Sequence, residues 1–479
     1  MVFSTSVFLY LFLPLTLIIY YIAPKKSKNF IILLSGLLFY SWGEPIYVVV
    51  MLISTMIDYF AGLVMNKFEG RKLPRRICLI VSVVMNLGLL GVFKYSGFIA
   101  DNINAIAGQQ LIDINNMNFF GIEFLPMNML PIGISFFTFQ SMSYTIDLYL
   151  GNVKVQKNPI SFAAFVTLFP QIVAGPIVRY DDVAKELDDR TITIDLIYDG
   201  IIKFIIGLAK KVLIANSIGS LWTEIKGLDL GGVSVLTSWL GILAFTFQIY
   251  FDFSGYSDMA VGLGKMMGFN FPKNFDYPYM SKSISEFWRR WHITLGSWFK
   301  SYVYFPLGGN RKGLPRTVLN LAIVWFLTGV WHGASWNFIL WGSLYGVVII
   351  IEKLFLGKVL KKLPTAICSI YTMLLVILGW VLFDTADLPT AGNYIATMFG
   401  ASGILVDGSA LYYLSTYAIT FIICIIGCTD LPKKAVELVR KKCTPLVNYG
   451  GIAVMAGMLV LCTAYLVDQT YNPFLYFNF

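Results

Sequence analysis

Apolar stretches long enough to cross a hydrocarbon core of about 30 Å recur from one end of this sequence to the other. They occupy residues 6–22, 30–42, 46–66, 77–93, 127–146, 160–178, 200–216, 233–253, 317–331, 336–356, 366–383, 411–429 and 450–467. Several are short or interrupted by Gly and Pro, so about eleven to thirteen true crossings are expected, with the remainder re-entrant or broken helices buried in protein. A chain of 479 residues could hold two or three soluble domains, but 57% hydrophobic residues, 13% charged residues and a mean hydropathy of +0.70 describe none. The expected fold is an all-α polytopic membrane protein, with residues 1–479 forming one integral-membrane domain. No Lys or Arg precedes Lys25 and no small-residue cleavage site follows the first apolar run, which reads as a retained span. The six cysteines (78, 368, 424, 428, 443 and 462) form no CxxC pair and are expected as free thiols.

Short loops rich in Lys and Arg stay on the cytoplasmic side, which sorts the loops by sequence. Residues 23–29 carry Lys25, Lys26 and Lys28, and residues 67–76 carry Lys67, Arg71, Lys72, Arg75 and Arg76, whereas 41–46 and 95–124 hold no basic residue. The N-terminus is therefore expected outside the cytoplasm. Lys353 to Lys362 and Lys433 to Lys442 sort inward, and 384–410, without Lys or Arg, sorts outward. Counting back from these, a hairpin between 317–331 and 336–356 turns at or below the outer side. That turn carries "LTGVWHGASW" (327–336).

Residues 255–310 are too polar for ordinary spans and too apolar for a solvated loop. Between Lys265 and Arg316 stand nine basic residues (Lys265, Lys273, Lys282, Arg289, Arg290, Lys300, Arg311, Lys312 and Arg316) against Asp276 and Glu286, giving +7 of the chain's formal +9. Positive-inside bias and snorkelling stems account for part of this. The clustering also suits a cytoplasmic vestibule for a negatively charged donor, such as the phosphates of a coenzyme A or phosphopantetheine thioester. No GxxxxGK[ST] loop and no strand-borne GxGxxG is present, so nucleotide hydrolysis is unsupported, and no nucleic-acid partner is expected. Within this region "SEFWRRWHITLGSWF" (285–299) has helical spacing, with Trp288, Trp291, Leu295 and Trp298 on one stripe. The stripe reads as packing. Burying Glu286, Arg289, Arg290 and His292 together in membrane structure invites a functional reading, with a paired charge network as the alternative.

The chain has two histidines, His292 and His332. Two cannot build the His-rich metal sites, so no metal is expected, but imidazole remains the side chain best placed to take and return a proton near neutral pH. Gly333 and Ala334 leave room beside His332 for a substrate, and Trp331 and Trp336 are expected to wall a water-poor slot. No GxSxG elbow supplies a serine nucleophile, and Gly-Ala-Ser-Trp-Asn after His332 rules out an HxxxxD arrangement. The nucleophile must come from a substrate or a partner, which points to direct acyl transfer with a histidine as general base.

"FDFSGYSDMAVGLGKMMGFNFPKNFDYPY", "SISEFWRRWHITLGSWFKSYVYFPLGGNRKG", "WFLTGVWHGASWNFILWG", "ISFFTFQSMSYTIDLY", "FPQIVAGPI" and the final "YNPFLYFNF" resemble the membrane-bound O-acyltransferase family. The likeness is to its bacterial branch of alginate O-acetyltransferase membrane subunits, with D-alanyl transfer proteins of teichoic acid as near relatives. It is most specific over about residues 125–356. The resemblance implies a ring of helices around a central tunnel, with the acyl thioester offered from the cytoplasm and the acceptor from outside. It implies that His332, in the Trp-His-Gly motif, is catalytic. His292, in the Trp-Arg-Arg-Trp-His motif, is the second family position, which asparagine fills in other members, so a positioning role stays open. It also implies an extracytoplasmic partner of the SGNH-hydrolase type.

The expected activity is transfer of an acetyl group from a cytoplasmic thioester, acetyl-CoA, towards a cell-wall or secreted polysaccharide across the bacterial plasma membrane. His332 and His292 are the catalytic candidates, and Arg289, Arg290, Lys300, Trp288, Trp331, Trp336 and Asp258 the substrate-binding ones. D-alanyl transfer from a carrier protein to teichoic acid is the near alternative. A transporter is the distant one, suggested by Asp58, Asp147, Asp252 and Asp258 but not by any repeat of the histidine-bearing segments.

Overall fold

The computed structural model describes residues 1–117, 130–173, 175–445, 449–468 and 474–475. The start of the expected 127–146 span, Ala174 of "FPQIVAGPI", and all of "YNPFLYFNF" except Phe474 and Leu475 lie outside the described residues. The described residues are helical and contain no strand. They fall into two compact units, Met1–Phe204 with Met259–Pro272, and Ile205–Asp258 with Lys273–Phe479.

The first unit holds α1 (Leu13–Ile22, preceded by a π-helical turn at Phe8–Phe12), α2 (Lys28–Gly43), α3 (Val48–Lys67), α4 (Lys72–Ala107), α5 (Ile134–Leu150), α6 (Pro159–Val166), α7 (Phe169–Ile172), α8 (Tyr180–Asp188) and most of α9 (Ile194–Ala209). The expected span 160–178 is broken. Asn158 caps α6 with its side chain, and Pro170 in the first turn of α7 has no N–H to carry a helix through. α4 outruns the expected 77–93 because nothing interrupts it before Gly108, whose φ of 66° ends it. Where α3, α4 and α5 pack, Asp58 is fully buried and accepts from Ser82 Oγ and from Asn86 Nδ2 at 3.0 Å. One of the four carboxylates that suggested transport is thus held through Oδ1 within its own bundle.

The second unit holds α10 (Asn216–Lys226), α11 (Val235–Met266, whose last residues belong to the first unit), α12 (Ile284–Arg290), α13 (Ile293–Phe299), α14 (Leu314–His332), α15 (Trp336–Ile351) and α16 (Gly357–Leu360). It continues with α17 (Thr365–Asp384), α18 (Leu388–Met398), α19 (Gly408–Gly427), α20 (Leu431–Lys442) and α21 (Gly451–Asp468). α18 lies inside 384–410, a stretch that sequence sorting treats as loop. The continuous helix expected over 285–299 is two helices. Arg290 O accepts from Asp276 N at 2.9 Å and Ile293 N donates to Asn274 O at 2.9 Å, so the neighbouring loop takes the groups a continuous helix would pair internally. Between them His292 adopts φ 45°, ψ 53°, a left-handed conformation costing roughly 1–3 kcal/mol for a non-Gly residue.

α14 and α15 form a tight antiparallel hairpin. A Cβ on Gly342 would lie 2.6 Å from Trp325 O and 2.7 Å from Gly329 Cα, and one on Gly329 would lie 2.5 Å from Phe338 O. Small residues at the crossing let the two backbones touch, as membrane helices require where lipid offers no hydrophobic drive to associate. Among the described residues, eight helices are long and apolar enough to cross a membrane: α3, α4, α11, α14, α15 with its continuation to Leu360, α17, α19 and α21. The other apolar runs of the described sequence form shorter or broken helices.

Candidate active site

The site lies within the second unit and is built from α11 to α15, α17 and the 274–281 loop. His332 ends α14, one residue before Gly333 leaves the helix in extended conformation and Ser335 caps α15. His332 is 3% exposed, and its ring sits edge-on to three aromatic rings: Trp331 at 4.9 Å, Trp341 at 4.8 Å and Phe383 at 5.4 Å between centroids. Trp331 then reaches His292, with centroids 6.0 Å apart. The two histidines, 40 positions apart in sequence, flank one tryptophan.

His292 is 2% exposed and packs edge-on to Phe253 at 4.8 Å. Its Nδ1 lies 3.1 Å from Asn274 Oδ1. That oxygen also accepts from Thr294 N at 3.3 Å and Thr294 Oγ1 at 2.9 Å, while Asn274 Nδ2 donates to Ser257 Oγ at 2.9 Å. The Thr294 N–H can only donate, so the amide orientation is fixed and the proton belongs on His292 Nδ1, leaving Nε2 as the basic nitrogen. Burial pushes the His292 imidazolium down to about 3, so this ring is neutral at physiological pH.

Two clefts adjoin this region, and the smaller is lined in part by His292. The larger, about 790 Å³, is lined by Lys282, Arg289, Lys353, Lys358 and Lys361 against Glu286 and Glu352, with Trp288, Tyr304, Leu321 and Trp325 among its walls. The smaller, about 250 Å³, is apolar and includes Trp291, Leu295, Phe299, Thr328 and His292, with Lys300 at its edge. Trp288, Tyr304, Leu321 and Trp325 line both. A cationic cleft and an apolar slot that His292 helps to line therefore share a wall.

The expected binding residues divide. Arg289 lines the cationic cleft, Lys300 the apolar slot and Trp288 both, while Trp331 stands between the histidines. Arg290 is instead committed to Glu286 at 2.8 Å and to the Asp276 carbonyl at 3.2 Å. Asp258 pairs with Lys210 at 2.7 Å, and the neighbouring Asp252 with Lys211 at 2.8 Å. Trp336, expected to wall the His332 slot, is 56% exposed. It opens α15, and the hairpin register turns Trp341 inward, so Trp341 and Phe383 are the walls. Sequence reasoning also passed over Asn274, Thr294 and Glu352. Glu352 accepts from Ile284 N at 2.7 Å, Ser285 N at 2.9 Å and Tyr371 Oη at 3.3 Å, which anchors the start of α12. The one signal for it was an acidic residue closing the apolar run of α15.

Residues 152–365 match the model of the membrane-bound O-acyltransferase family. Relatives include a probable alginate O-acetylase, AlgI, of Pseudomonas putida, 37% identical over 506 residues with all of both chains covered. They also include a peptidoglycan O-acetyltransferase of Helicobacter pylori, 32% identical over 457 residues, covering 88% of this chain and 83% of the relative. A teichoic acid D-alanyltransferase of Bacillus subtilis is 30% identical over 281 residues, covering 54% and 70%. Such a protein needs an acyl donor as co-substrate, and the eight apolar helices among the described residues make this a multi-pass membrane protein. The chain belongs to the membrane-bound O-acyltransferase family.

Proposed function

We propose that this chain acts as a single O-acyltransferase domain that moves an acetyl group from cytoplasmic acetyl-CoA across the bacterial plasma membrane for O-acetylation of a secreted or cell-wall polysaccharide. The observation that carries the reading is the wall shared by the cationic cleft and the apolar slot. A donor with several phosphates and a thin apolar arm fits that pair: cations take the phosphates, and the thioester end travels along Trp288 and Trp325 towards the histidines. His332 acts as general base. It takes the proton of the acceptor hydroxyl as that oxygen attacks the thioester carbonyl, the C–S bond breaks, and the proton passes to the departing thiolate. His292, neutral and held through Nδ1, orients Trp331 and the thioester end.

The inward sorting of the basic loops supports donor entry from the cytoplasm and an extracytoplasmic N-terminus. An SGNH-hydrolase-type partner outside the membrane completes delivery to the polymer. The test is mass spectrometry of envelope and secreted polymers from a deletion strain. Loss of acetyl esters, restored by the wild-type gene, is expected; loss of D-alanine esters with acetyl esters intact would overturn the reading in favour of teichoic acid D-alanylation.

The cleft assignment carries its own prediction. Arg289→Gln removes one charge-assisted contact, worth about 1.5–3 kcal/mol, and raises the KM for acetyl-CoA roughly tenfold or more while kcat changes little. Initial rates on inverted membrane vesicles read this directly, and an unchanged KM removes Arg289 from the donor site.

A further inference from the structure

We propose that α20 is an interfacial helix that lies on an anionic phospholipid surface. It runs Leu431–Lys442 between two membrane-crossing helices, α19 and α21, and none of its residues is buried. At 3.6 residues per turn, Leu431, Pro432, Ala435, Val436, Leu438 and Val439 share an arc of about 160°, and Lys433, Lys434, Glu437, Arg440 and Lys441 fill the opposite one. Lys442, at the end, lies within the apolar arc. The four large apolar residues are between 40% and 58% exposed, so the described residues leave much of that face open. The charged face holds two ion pairs of its own, Lys434 with Asp430 at 2.8 Å and Lys433 with Glu437 at 3.8 Å.

Charge names the occupant. Over Leu431–Lys442 five basic residues oppose Glu437 alone, and even with Asp430 counted a clear positive excess remains. Positive-inside bias explains basic residues in a short loop, but it does not explain why they take one side of a helix and leave a continuous apolar strip on the other. A basic amphipathic helix with an uncovered apolar face is what an interface between anionic headgroups and acyl chains accepts: the strip enters the acyl boundary and the cations stay among the phosphates. A purely apolar partner would match the strip and leave Arg440, Lys441 and Lys442 without counter-charge, whereas anionic lipid matches both faces at once.

The experiment uses the full chain in lipid nanodiscs with a nitroxide label at Val436→Cys or at Arg440→Cys, each in a Cys443→Ser background because Cys443 is exposed. Discs hold either phosphatidylglycerol mixed with phosphatidylcholine, or phosphatidylcholine alone. In the anionic discs the ratio of oxygen to aqueous nickel-chelate accessibility is expected to be at least about threefold higher for the Val436→Cys label, and this contrast shrinks without phosphatidylglycerol. Changing Lys433 and Lys441 together to Gln is expected to shrink it likewise. Equal aqueous exposure of both labels in anionic discs would overturn the proposal, and so would shielding of the Val436→Cys label from both reagents, which means protein covers the strip. A contrast of the same size in phosphatidylcholine alone would overturn the anionic requirement.

Discussion

His332→Gln is expected to lower acetyl transfer by about 100-fold to 10,000-fold while the protein remains folded in the membrane. Glutamine is close in size to histidine, so the box of Trp331, Trp341 and Phe383 stays filled, but it has no group that takes a proton at neutral pH. His292→Asn is expected to cost far less. Asparagine tolerates the left-handed conformation seen at φ 45°, and its amide N–H can replace the Nδ1–H that faces Asn274. The two variants therefore separate proton transfer from positioning. Acetate incorporation by purified membranes, normalised to protein level, makes the comparison. Undiminished transfer by His332→Gln would remove the catalytic assignment, and equal losses in both variants would give His292 a direct chemical role. Burial holds the His292 imidazolium down to about 3, so an acid limb in the rate profile above pH 5 comes from another group and persists in His292→Asn.

What the sequence made legible were features written locally. Span-length apolar runs mark the membrane helices, and the basic excess of 265–316 marks a cationic region, of which Lys282 and Arg289 do line a cleft. Scarcity singled out the two histidines, and Trp331 joins them. What stayed hidden depends on contacts from elsewhere in the chain. The Trp288, Trp291, Leu295, Trp298 stripe is a true helical spacing, yet the 274–276 loop takes the hydrogen bonds of Arg290 and Ile293 and breaks the helix at His292. Neighbouring residues on α12 point about 100° apart, so spacing alone could not choose Arg289 for the cleft and Arg290 for Glu286. The same holds for Trp336 and Trp341. Both lie in the first two turns of α15, and the glycine seam of Gly329 and Gly342 sets which one meets His332. Asn274 carried no pattern at all: its role appears once Ser257, Thr294 and His292 converge on one amide.

Glu352→Ala is expected to be the most damaging change outside the histidines. Glu352 is 7% exposed and sits where α15 loosens into a π-helical turn, Glu352–Leu356. Its carboxylate accepts the Ile284 and Ser285 N–H groups, and removal leaves two donors at the head of α12 without their acceptor, at about 1–3 kcal/mol each. Ser283 Oγ still accepts from Glu286 N at 3.0 Å, so the helix itself survives, but its tie to α15 does not. α12 carries Trp288 and Arg289 into the clefts and leads into His292, so loosening it displaces donor contacts and the positioning imidazole together. Glu352→Gln keeps one accepting oxygen and turns an amide N–H towards a backbone donor, and is expected to fall between wild type and Glu352→Ala. Thermal unfolding in detergent gives the stability order. Steady-state rates below the unfolding range give the functional one: a raised acetyl-CoA KM in Glu352→Gln at an unchanged folded fraction marks Glu352 as a positioning residue for the donor cleft. A loss of folded protein with KM and kcat both unchanged would reduce it to a structural anchor, because a helix merely held in place leaves the donor's contacts as they were.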